Sequence, residues 1–392
     1  MLNTPFSPWP SYTEEEAVAV SRVLLSNKVN YWTGIECRKF EEEFATWADS
    51  KYAIAVANGT LALDLALVAL GIGKNDEVIT TPRTFLASAS SIITVGATPI
   101  FADVDKNSQN ITSNTIEKVL SKKTKAVIVV HLAGLPAEMD EIMALSKKYG
   151  FYVIEDCAQA HGAKYKGKSV GSIGHIGAWS FCQDKIMTTG GEGGMVTTNN
   201  KELWLKMWSY KDHGKSYDAI YNRKHSPGFR WLHESFGTNW RMTEMQAVIG
   251  RIQLTRMNEW TRKRQINGRA LDDVVRDLNV VRTVRVPCYI LHAEYKHYLF
   301  VQPENLKEGW TRDKIVDLIV EQGVPAFQGS CSEIYLEKAF DNTSWRPKRR
   351  LENAVELGDT SLMFLVHPTL LPSEIEKMTL VVRSVLVQAQ KE

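Results

Sequence analysis

Short apolar runs alternate with helical segments along residues 53–155. We expect strands at residues 53–57, 76–81, 99–104, 126–130 and 152–155, and helices at residues 13–26, 61–70, 112–121 and 138–149, with a further helical segment after Phe85. Strands that are separated by helices usually pair in parallel, and the helices then cover both faces of the sheet. The pattern therefore predicts an α/β fold built on a mostly parallel sheet.

The character of the chain changes after about residue 200. We expect a long helix over residues 241–266, strands over 280–286 and 298–301, and helices over 312–322 and 374–388. With 392 residues, 44% of them apolar, the chain is long enough for a large core and two domains. We predict a large domain over residues 1–255 and a smaller C-terminal α/β domain over residues 256–392.

Polar and aromatic residues follow several of the predicted strands. They are Asn58-Gly59-Thr60, Phe85, Asp156 and Gln159, and each lies at or just after a strand end. Ligands of parallel sheets bind beyond the carboxyl ends of the strands. We therefore expect these residues to converge on one crevice, although about 100 residues separate the first from the last.

Lys185 follows an apolar run and precedes the glycine-rich segment 190–194. A lysine amine can condense with the aldehyde of pyridoxal 5′-phosphate, and a strand-end aspartate such as Asp156 can keep the ring nitrogen of that cofactor protonated. The pair predicts a pyridoxal phosphate site; the alternative is that Lys185 is a solvated surface lysine. Glu155 precedes Asp156, and neighbours on a strand face opposite ways, so the pattern alone does not decide which carboxylate enters the crevice.

Gly59 and Thr60 open a predicted helix, where free backbone N–H groups and the helix dipole attract a phosphate. Ser180 is a second candidate donor to that phosphate, and Phe85 is a candidate to stack on the cofactor ring. The alternatives are a plain helix cap at residues 59–60 and an ordinary core position for Phe85.

Other kinds of site are less well supported. The candidates for metal ligands, His131, His161, His175 and Asp156, lack a tight ligand spacing, and no GxGxxG segment follows the first strand. The net charge of +2 gives no argument for a nucleic acid or an anionic membrane surface as a partner, and we expect neither. Five scattered cysteines and the lack of a signal-like N-terminus predict a cytoplasmic protein without a disulfide framework.

Six segments carry a family resemblance that spans about residues 10–380. They are Asn58-Gly59-Thr60-Leu61-Ala62-Leu63, Asp76-Glu77-Val78-Ile79, Gly96-Ala97-Thr98-Pro99-Ile100-Phe101, residues 155–163, residues 180–194, and Asn239-Trp240-Arg241-Met242-Thr243-Glu244-Met245-Gln246-Ala247. With these segments the chain resembles the DegT/DnrJ/EryC1/StrS family of sugar aminotransferases. The resemblance implies the type I fold of pyridoxal phosphate enzymes, with a seven-stranded sheet in the large domain and a smaller C-terminal domain.

The resemblance also implies a role for each candidate residue. Lys185 bonds to the cofactor, Asp156 pairs with its ring nitrogen, Gln159 contacts its ring hydroxyl, Phe85 stacks on its ring, and Gly59, Thr60 and Ser180 hold its phosphate. Asn239 is similar to a phosphate contact that the neighbouring subunit donates in this family, which implies a homodimer with sites at the interface.

The implied activity is transfer of an amino group from L-glutamate to a keto group, at C3 or C4, of a nucleotide-linked deoxysugar. Such sugars serve surface polysaccharides, glycoconjugates or natural products. The alternatives are amination of a cyclitol or aminoglycoside-precursor ketone, and a non-catalytic regulator that binds pyridoxal phosphate. A dehydratase branch of the family has histidine in place of the lysine, and Lys185 argues against that branch.

Two segments near Lys185 depart from the usual pattern of the family. The stretch Thr188-Thr189-Gly190-Gly191-Glu192-Gly193-Gly194 is one residue longer than in many members, and Cys182-Gln183-Asp184 stands where histidine or tyrosine with proline is frequent. We therefore expect the contacts to substrate beside Lys185 to differ from those of many relatives.

Overall fold

The computed structural model describes residues 6–224, 227–228 and 230–391. The α-helices in this part of the chain are α1 (Glu14–Leu25), α2 (Glu36–Trp47), α3 (Gly59–Ala69), α4 (Ala87–Thr94), α5 (Ser113–Glu117), α6 (Met139–Tyr149), α7 (Lys201–Tyr210), α8 (Tyr217–Tyr221), α9 (Glu244–Val275), α10 (Arg312–Glu321), α11 (Glu352–Thr360) and α12 (Pro372–Ala389). The strands are β1 (Tyr52–Val56), β2 (Glu77–Thr80), β3 (Thr98–Phe101), β4 (Thr124–Val130), β5 (Tyr152–Asp156), β6 (Lys164–Tyr165), β7 (Lys168–Ser169), β8 (Ile176–Ser180), β9 (Gly194–Thr198), β10 (Val281–Thr283), β11 (Ile290–Leu291), β12 (His297–Val301), β13 (Ala326–Phe327) and β14 (Ser361–Phe364).

Within the described residues, the main sheet has seven strands in the order β1-β9-β8-β5-β4-β2-β3. The pairs β2–β3, β2–β4, β4–β5 and β5–β8 are parallel, and only β9 runs antiparallel to its neighbours β1 and β8. This confirms the predicted α/β fold with a mostly parallel seven-stranded sheet.

Helices cover both faces of the main sheet, as the unbroken apolar character of its strands requires. Side chains alternate along each strand, so Ile128 of β4 joins the core that includes Leu63 of α3, whereas Val127 joins the core that includes Ile142 of α6. This arrangement leaves the carboxyl ends of the strands as the open edge at which ligands can reach the chain.

The C-terminal part of the chain forms a second sheet in the order β10-β12-β14-β13, with all its pairs antiparallel. Its core is separate and includes Leu299 of β12, Ile315 of α10 and Val382 of α12. The long helix predicted over residues 241–266 extends further than expected, and α9 runs without a break through the predicted domain boundary at residue 255. The division at residues 255 and 256 stays a prediction.

Most of the predicted elements are present with ends shifted by a few residues. The helix expected over residues 112–121 is shorter, since α5 covers only Ser113–Glu117. Strands β8 and β9, on either side of Lys185, were not predicted; they are short and contain Gly177, Ser180 and Gly194, which weaken a strand pattern. Among the described residues, each helix is too short or too polar to span a lipid bilayer.

Candidate active site

A cavity of about 940 Å³ opens at the carboxyl edge of the main sheet. Its lining includes these sequence-predicted residues: Gly59, Thr60, Phe85, Asp156, Gln159, Ser180 and Lys185. The C-terminal part of the chain closes the other side with Tyr295, Lys296 and residues 329–331. The structure thus brings together seven of the eight predicted site residues, and Asn239 is the one that lies outside this lining.

Lys185 is held in a loop between β8 and β9. The loop is closed by the Phe181 N–H, which donates to the carbonyl oxygen of Gly193 at 2.8 Å. The Lys185 N–H donates to the carbonyl oxygen of Cys182 at 3.0 Å, and its own carbonyl oxygen accepts from the Trp9 indole N–H at 2.8 Å. The side chain is 16% exposed, and its Nζ lies 3.9 Å from Oδ1 of Asp184. The backbone is therefore anchored while the amine faces the cavity.

Asp156 ends β5 and presents its carboxylate to the same cavity. Its Oδ2 accepts a hydrogen bond from the Ser88 hydroxyl at 2.8 Å, and its Oδ1 accepts from the Ala158 N–H at 3.1 Å. Burial raises the pKa of Asp156 above its ordinary value, although these two hydrogen bonds and the positive charge of Lys185 oppose that rise. A cationic N–H donor in the cavity would favour the ionised carboxylate.

Glu155 faces away from the cavity and has a structural task. Its carboxylate is fully buried and accepts hydrogen bonds from the backbone N–H groups of Gly171, Ile173 and Gly174 at 2.6–2.9 Å. The Ala137 N–H donates to Nδ1 of His131, so the other ring nitrogen of His131 carries the proton and donates to Glu155 at 3.0 Å. The question that the sequence pattern left open is thereby answered: Asp156, not Glu155, enters the crevice.

The same contacts bear on whether the residues around Glu155 bind a metal ion. His131, Glu155 and Cys157 are buried and have potential ligand atoms within 4.8 Å of one another. However, both nitrogens of His131 and both oxygens of Glu155 already take part in hydrogen bonds. A metal ion would have to displace these contacts, so this group is better explained as a buried support for β5.

The start of α3 forms a cradle for an anion. Asn58 caps the helix, with its Oδ1 accepting from the Leu61 N–H at 2.9 Å, while the N–H groups of Gly59 and Thr60 have no partner within the helix by its geometry. A β-carbon at position 59 would lie 2.4 Å from Cβ of Ser180, so only glycine permits this close approach. The Ser180 hydroxyl therefore lies beside the helix N-terminus, where both can contact one phosphate.

Phe85 and Gln159 offer a flat surface and a hydrogen-bond donor. The Phe85 side chain is 71% exposed although it is large and apolar, and it lines the cavity. The side-chain oxygen of Gln159 accepts from the Ala133 N–H at 2.8 Å, which fixes the orientation of the amide and leaves its NH₂ group as a donor. A planar ring that carries a hydroxyl would complement both side chains.

Together these residues fit pyridoxal phosphate. The cavity contains an amine on Lys185, a buried carboxylate on Asp156, an exposed aromatic ring, and an anion cradle. Each feature complements one part of the cofactor, namely the aldehyde, the ring nitrogen, the ring face and the phosphate.

Asn239 is exposed and lies outside the cavity of its own chain. Its backbone forms an isolated β-bridge with that of Asp212, which lies two residues after the end of α7. Its predicted contact with a cofactor would require a second copy of the chain, and it stays a prediction.

Sequence reasoning missed several residues of the cavity. Ser88, which supports Asp156, lies one helical turn after Phe85, and that spacing could have indicated a shared site. Tyr295 and Lys296 lie directly before β12, where a lysine adjoining a wholly buried strand was a usable signal. Ser330 and Cys331 carry no comparable signal, because only the fold brings that loop to the cavity.

Comparison with known proteins gives a consistent result over nearly the whole chain. The model of the DegT/DnrJ/EryC1/StrS aminotransferase family matches residues 10–383. A GDP-perosamine synthase from Escherichia coli O157:H7 is 43% identical over 66% of this chain and 68% of that protein. The X-ray structure of an aminotransferase from Psychrobacter cryohalolentis is 63% identical, with a TM-score of 0.97 over 98% of this chain and 100% of that one. S. venezuelae DesV, solved in complex with a ketimine intermediate, is 28% identical, with a TM-score of 0.84 over 95% and 94% of the two chains.

Proposed function

The chain belongs to the DegT/DnrJ/EryC1/StrS aminotransferase family and is a sugar transaminase, and from this premise we propose that it uses pyridoxal phosphate to move an amino group from L-glutamate to a keto group of a nucleotide-linked deoxysugar. The acceptor carbon is C3 or C4 of the sugar. Nitrogen is conserved in the reaction: L-glutamate becomes 2-oxoglutarate, and the keto sugar becomes an amino sugar.

The observation that carries the proposal is the presence of Lys185 and Asp156 in one cavity with an anion cradle at Gly59 and Ser180. Burial raises the pKa of Asp156, and the positive charge of Lys185 in the same cavity opposes that rise. The relatives support the substrate class, since the E. coli protein is named for a GDP-linked sugar.

When bound, pyridoxal phosphate supplies an aldehyde for the lysine amine and a ring that accepts the electron pair left by proton removal. Lys185 Nζ would hold the cofactor at rest and, once the donor amine has displaced it, would take the proton from the α-carbon of the donor. Asp156 would keep a proton on the ring nitrogen, and Gln159 would orient the ring through its hydroxyl. Phe85 would exclude water from one face of the ring.

We include a homodimer in the proposal, with Asn239 of each subunit serving the site of its neighbour. The segment before Asn239 carries Trp231 and Phe236, whose side chains are 90% and 98% exposed in the single chain. Large apolar side chains that are exposed together favour an interaction surface. A second copy of the chain would bury them.

Two half-reactions test the proposal. L-Glutamate added to the cofactor-loaded protein should release 2-oxoglutarate and bleach the visible absorbance, and a 3-keto or 4-keto nucleotide sugar should then restore that absorbance. The Lys185→Ala variant should do neither. If the cofactor-loaded protein is yellow but releases no 2-oxoglutarate, it is a non-catalytic regulator. If a cyclitol ketone but no nucleotide sugar restores the absorbance, a transaminase of a cyclitol or aminoglycoside precursor is favoured.

A further inference from the structure

Lys296 lines the candidate active site and directly precedes β12. Among the described residues that line this cavity, the basic side chains are Lys185 and Lys296. The chemistry proposed above uses Lys185 and gives Lys296 no task. Lys296 is half-buried, and an anion close by stabilises an ammonium group that loses part of its water, because its desolvation is otherwise costly.

Hydrogen bonds connect Tyr295, the chain neighbour of Lys296, to a residue proposed to hold the cofactor. The Ala133 N–H donates to the Gln159 side chain, and the Tyr295 N–H donates to the carbonyl oxygen of Ala133, both at 2.8 Å. Nζ of Lys296 lies 4.8 Å from the centroid of the Tyr295 ring, and Nζ of Lys185 lies 5.3 Å from the same centroid. The two amines therefore lie within about 10 Å of each other.

The surroundings of Lys296 have more positive than negative charge. Arg264 is buried, its Nη1 donates to the carbonyl oxygen of Tyr295 at 3.3 Å, and its Nε and Nη2 have no hydrogen-bond partner among the described residues. The nearby carboxylate, Asp184, already accepts from the Tyr295 hydroxyl and lies 3.9 Å from Lys185. Burial, together with the charges of Arg264 and Lys185, lowers the pKa of Lys296 to about 8 against the attraction of Asp184. This corner of the cavity can thus accept one more anion.

We infer that Lys296 binds a carboxylate of the amino donor and so places the α-carbon of that donor beside Lys185. The inference rests on the proposed function, because it names the residue by which the same site recognises its donor. Lys296 takes no part in the bond changes; it orients the substrate.

The position of Lys296 favours the donor carboxylate over the diphosphate of a nucleotide sugar. The α-carbon of an amino acid must reach Lys185, and its carboxylates then lie within a few bonds of that point; the two carboxylates of glutamate are only about 5 Å apart. The amine of Lys296 lies within about 10 Å of that of Lys185, a gap that a bound glutamate with one hydrogen bond at each end can span. A nucleotide diphosphate is separated from the reacting carbon by the sugar ring and would lie further out.

The test measures binding of glutarate, an unreactive five-carbon dicarboxylate, to the cofactor-loaded protein by calorimetry. The variants are Lys296→Gln, which removes the charge, and Lys296→Arg, which keeps it. The matched control is Lys314→Gln, because Lys314 also lies over an aromatic ring, 4.6 Å from the centroid of Trp310, but is exposed on α10 away from the cavity. Titration with uridine diphosphate and guanosine diphosphate forms the second arm.

We expect K296Q to weaken glutarate binding by roughly ten- to a hundred-fold, the loss typical of a charge-assisted hydrogen bond. K296R, which keeps the positive charge, and K314Q should stay within about threefold of the wild type, and nucleoside diphosphate binding should not change. If K296Q does not fold, the pH dependence of glutarate binding in the wild type and in K296R still tests the inference. The affinity of the wild type for glutarate should fall as pH rises through about 8, where Lys296 loses its proton, whereas K296R should keep its affinity. The neighbouring titratable and charged groups are the same in both proteins; they are Asp184, Lys185, Arg264, Tyr295 and His367.

Unchanged glutarate binding in K296Q would overturn the inference, and so would a loss confined to the nucleoside diphosphates. A glutarate affinity that falls with pH equally in the wild type and in K296R would overturn it as well. Failure of the proposed function is separate and visible in the wild type, which would then release no 2-oxoglutarate from L-glutamate.

Discussion

Gly59 and Ser180 approach so closely that a β-carbon on residue 59 would lie 2.4 Å from Cβ of Ser180. This contact joins the N-terminus of α3 to the end of β8 and forms the anion cradle of the candidate active site. Gly59→Ala should push Ser180 away and weaken binding of pyridoxal phosphate by at least about tenfold, since both donors to one phosphate are displaced.

The affinity of the cofactor-free protein for pyridoxal phosphate, followed by fluorescence, measures this effect. Gly73→Ala is the matched control, because a β-carbon there would meet only the carbonyl oxygen of Val95 at an ordinary 3.5 Å. Equal affinity in the two variants would show that the cradle does not hold the phosphate.

Asn239 provides a test of the dimer. A 1:1 mixture of Lys185→Ala and Asn239→Ala subunits should recover about a quarter of wild-type activity. Half of the dimers are then mixed, and each has one intact site in which Lys185 and Asn239 come from different subunits. The two variants measured singly are the controls. If Asn239 serves its own chain, mixing restores nothing.

His297 should make the stability of the protein depend on pH. Burial acts to lower its pKa, but Glu294 and Asp272, whose oxygens lie 3.2 Å from its two ring nitrogens, raise the pKa from 6.5 to about 10. A group whose pKa is higher in the folded state stabilises fully below its unfolded value, and this stabilisation is lost as pH rises through the folded value. The contribution of His297 is therefore present below pH 6.5 and lost between pH 6.5 and about 10.

His297→Gln should lower the free energy of unfolding by about 3 kcal/mol at about pH 6, the cost of breaking a buried ion pair, and by much less at about pH 10. Urea titrations across this range measure the difference. His233→Gln, at an exposed histidine, should change stability little at either pH. A loss in His297→Gln that does not vary with pH would contradict the ion-pair explanation.

The parallel sheet could be predicted because its strands are apolar and are separated by helices, as β4 and β5 with α6 between them illustrate. The candidate residues on strand ends could also be predicted, since the carboxyl ends of parallel strands meet at one edge. The choice between Glu155 and Asp156 could not be made locally. It depends on the loop of residues 171–174, whose N–H groups bind Glu155 on the far side of the sheet.

Lys296 shows a second limit of sequence reasoning. It is more than 100 residues from Lys185 in the chain, and the fold brings it to the cavity through contacts such as the hydrogen bond from the Tyr295 N–H to the carbonyl oxygen of Ala133. The sequence marks Lys296 as a lysine beside a buried strand, but neither hydrophobic periodicity nor a short motif indicates which cavity it lines.

The most direct measurement identifies the lysine that bonds to pyridoxal phosphate. Borohydride reduction of the cofactor-loaded protein makes that bond permanent, and mass spectrometry of the peptides then locates it. We expect the added mass on Lys185 and, despite the second amine in the same cavity, none on Lys296. A label on Lys296, on another lysine or on no lysine would contradict the central claim.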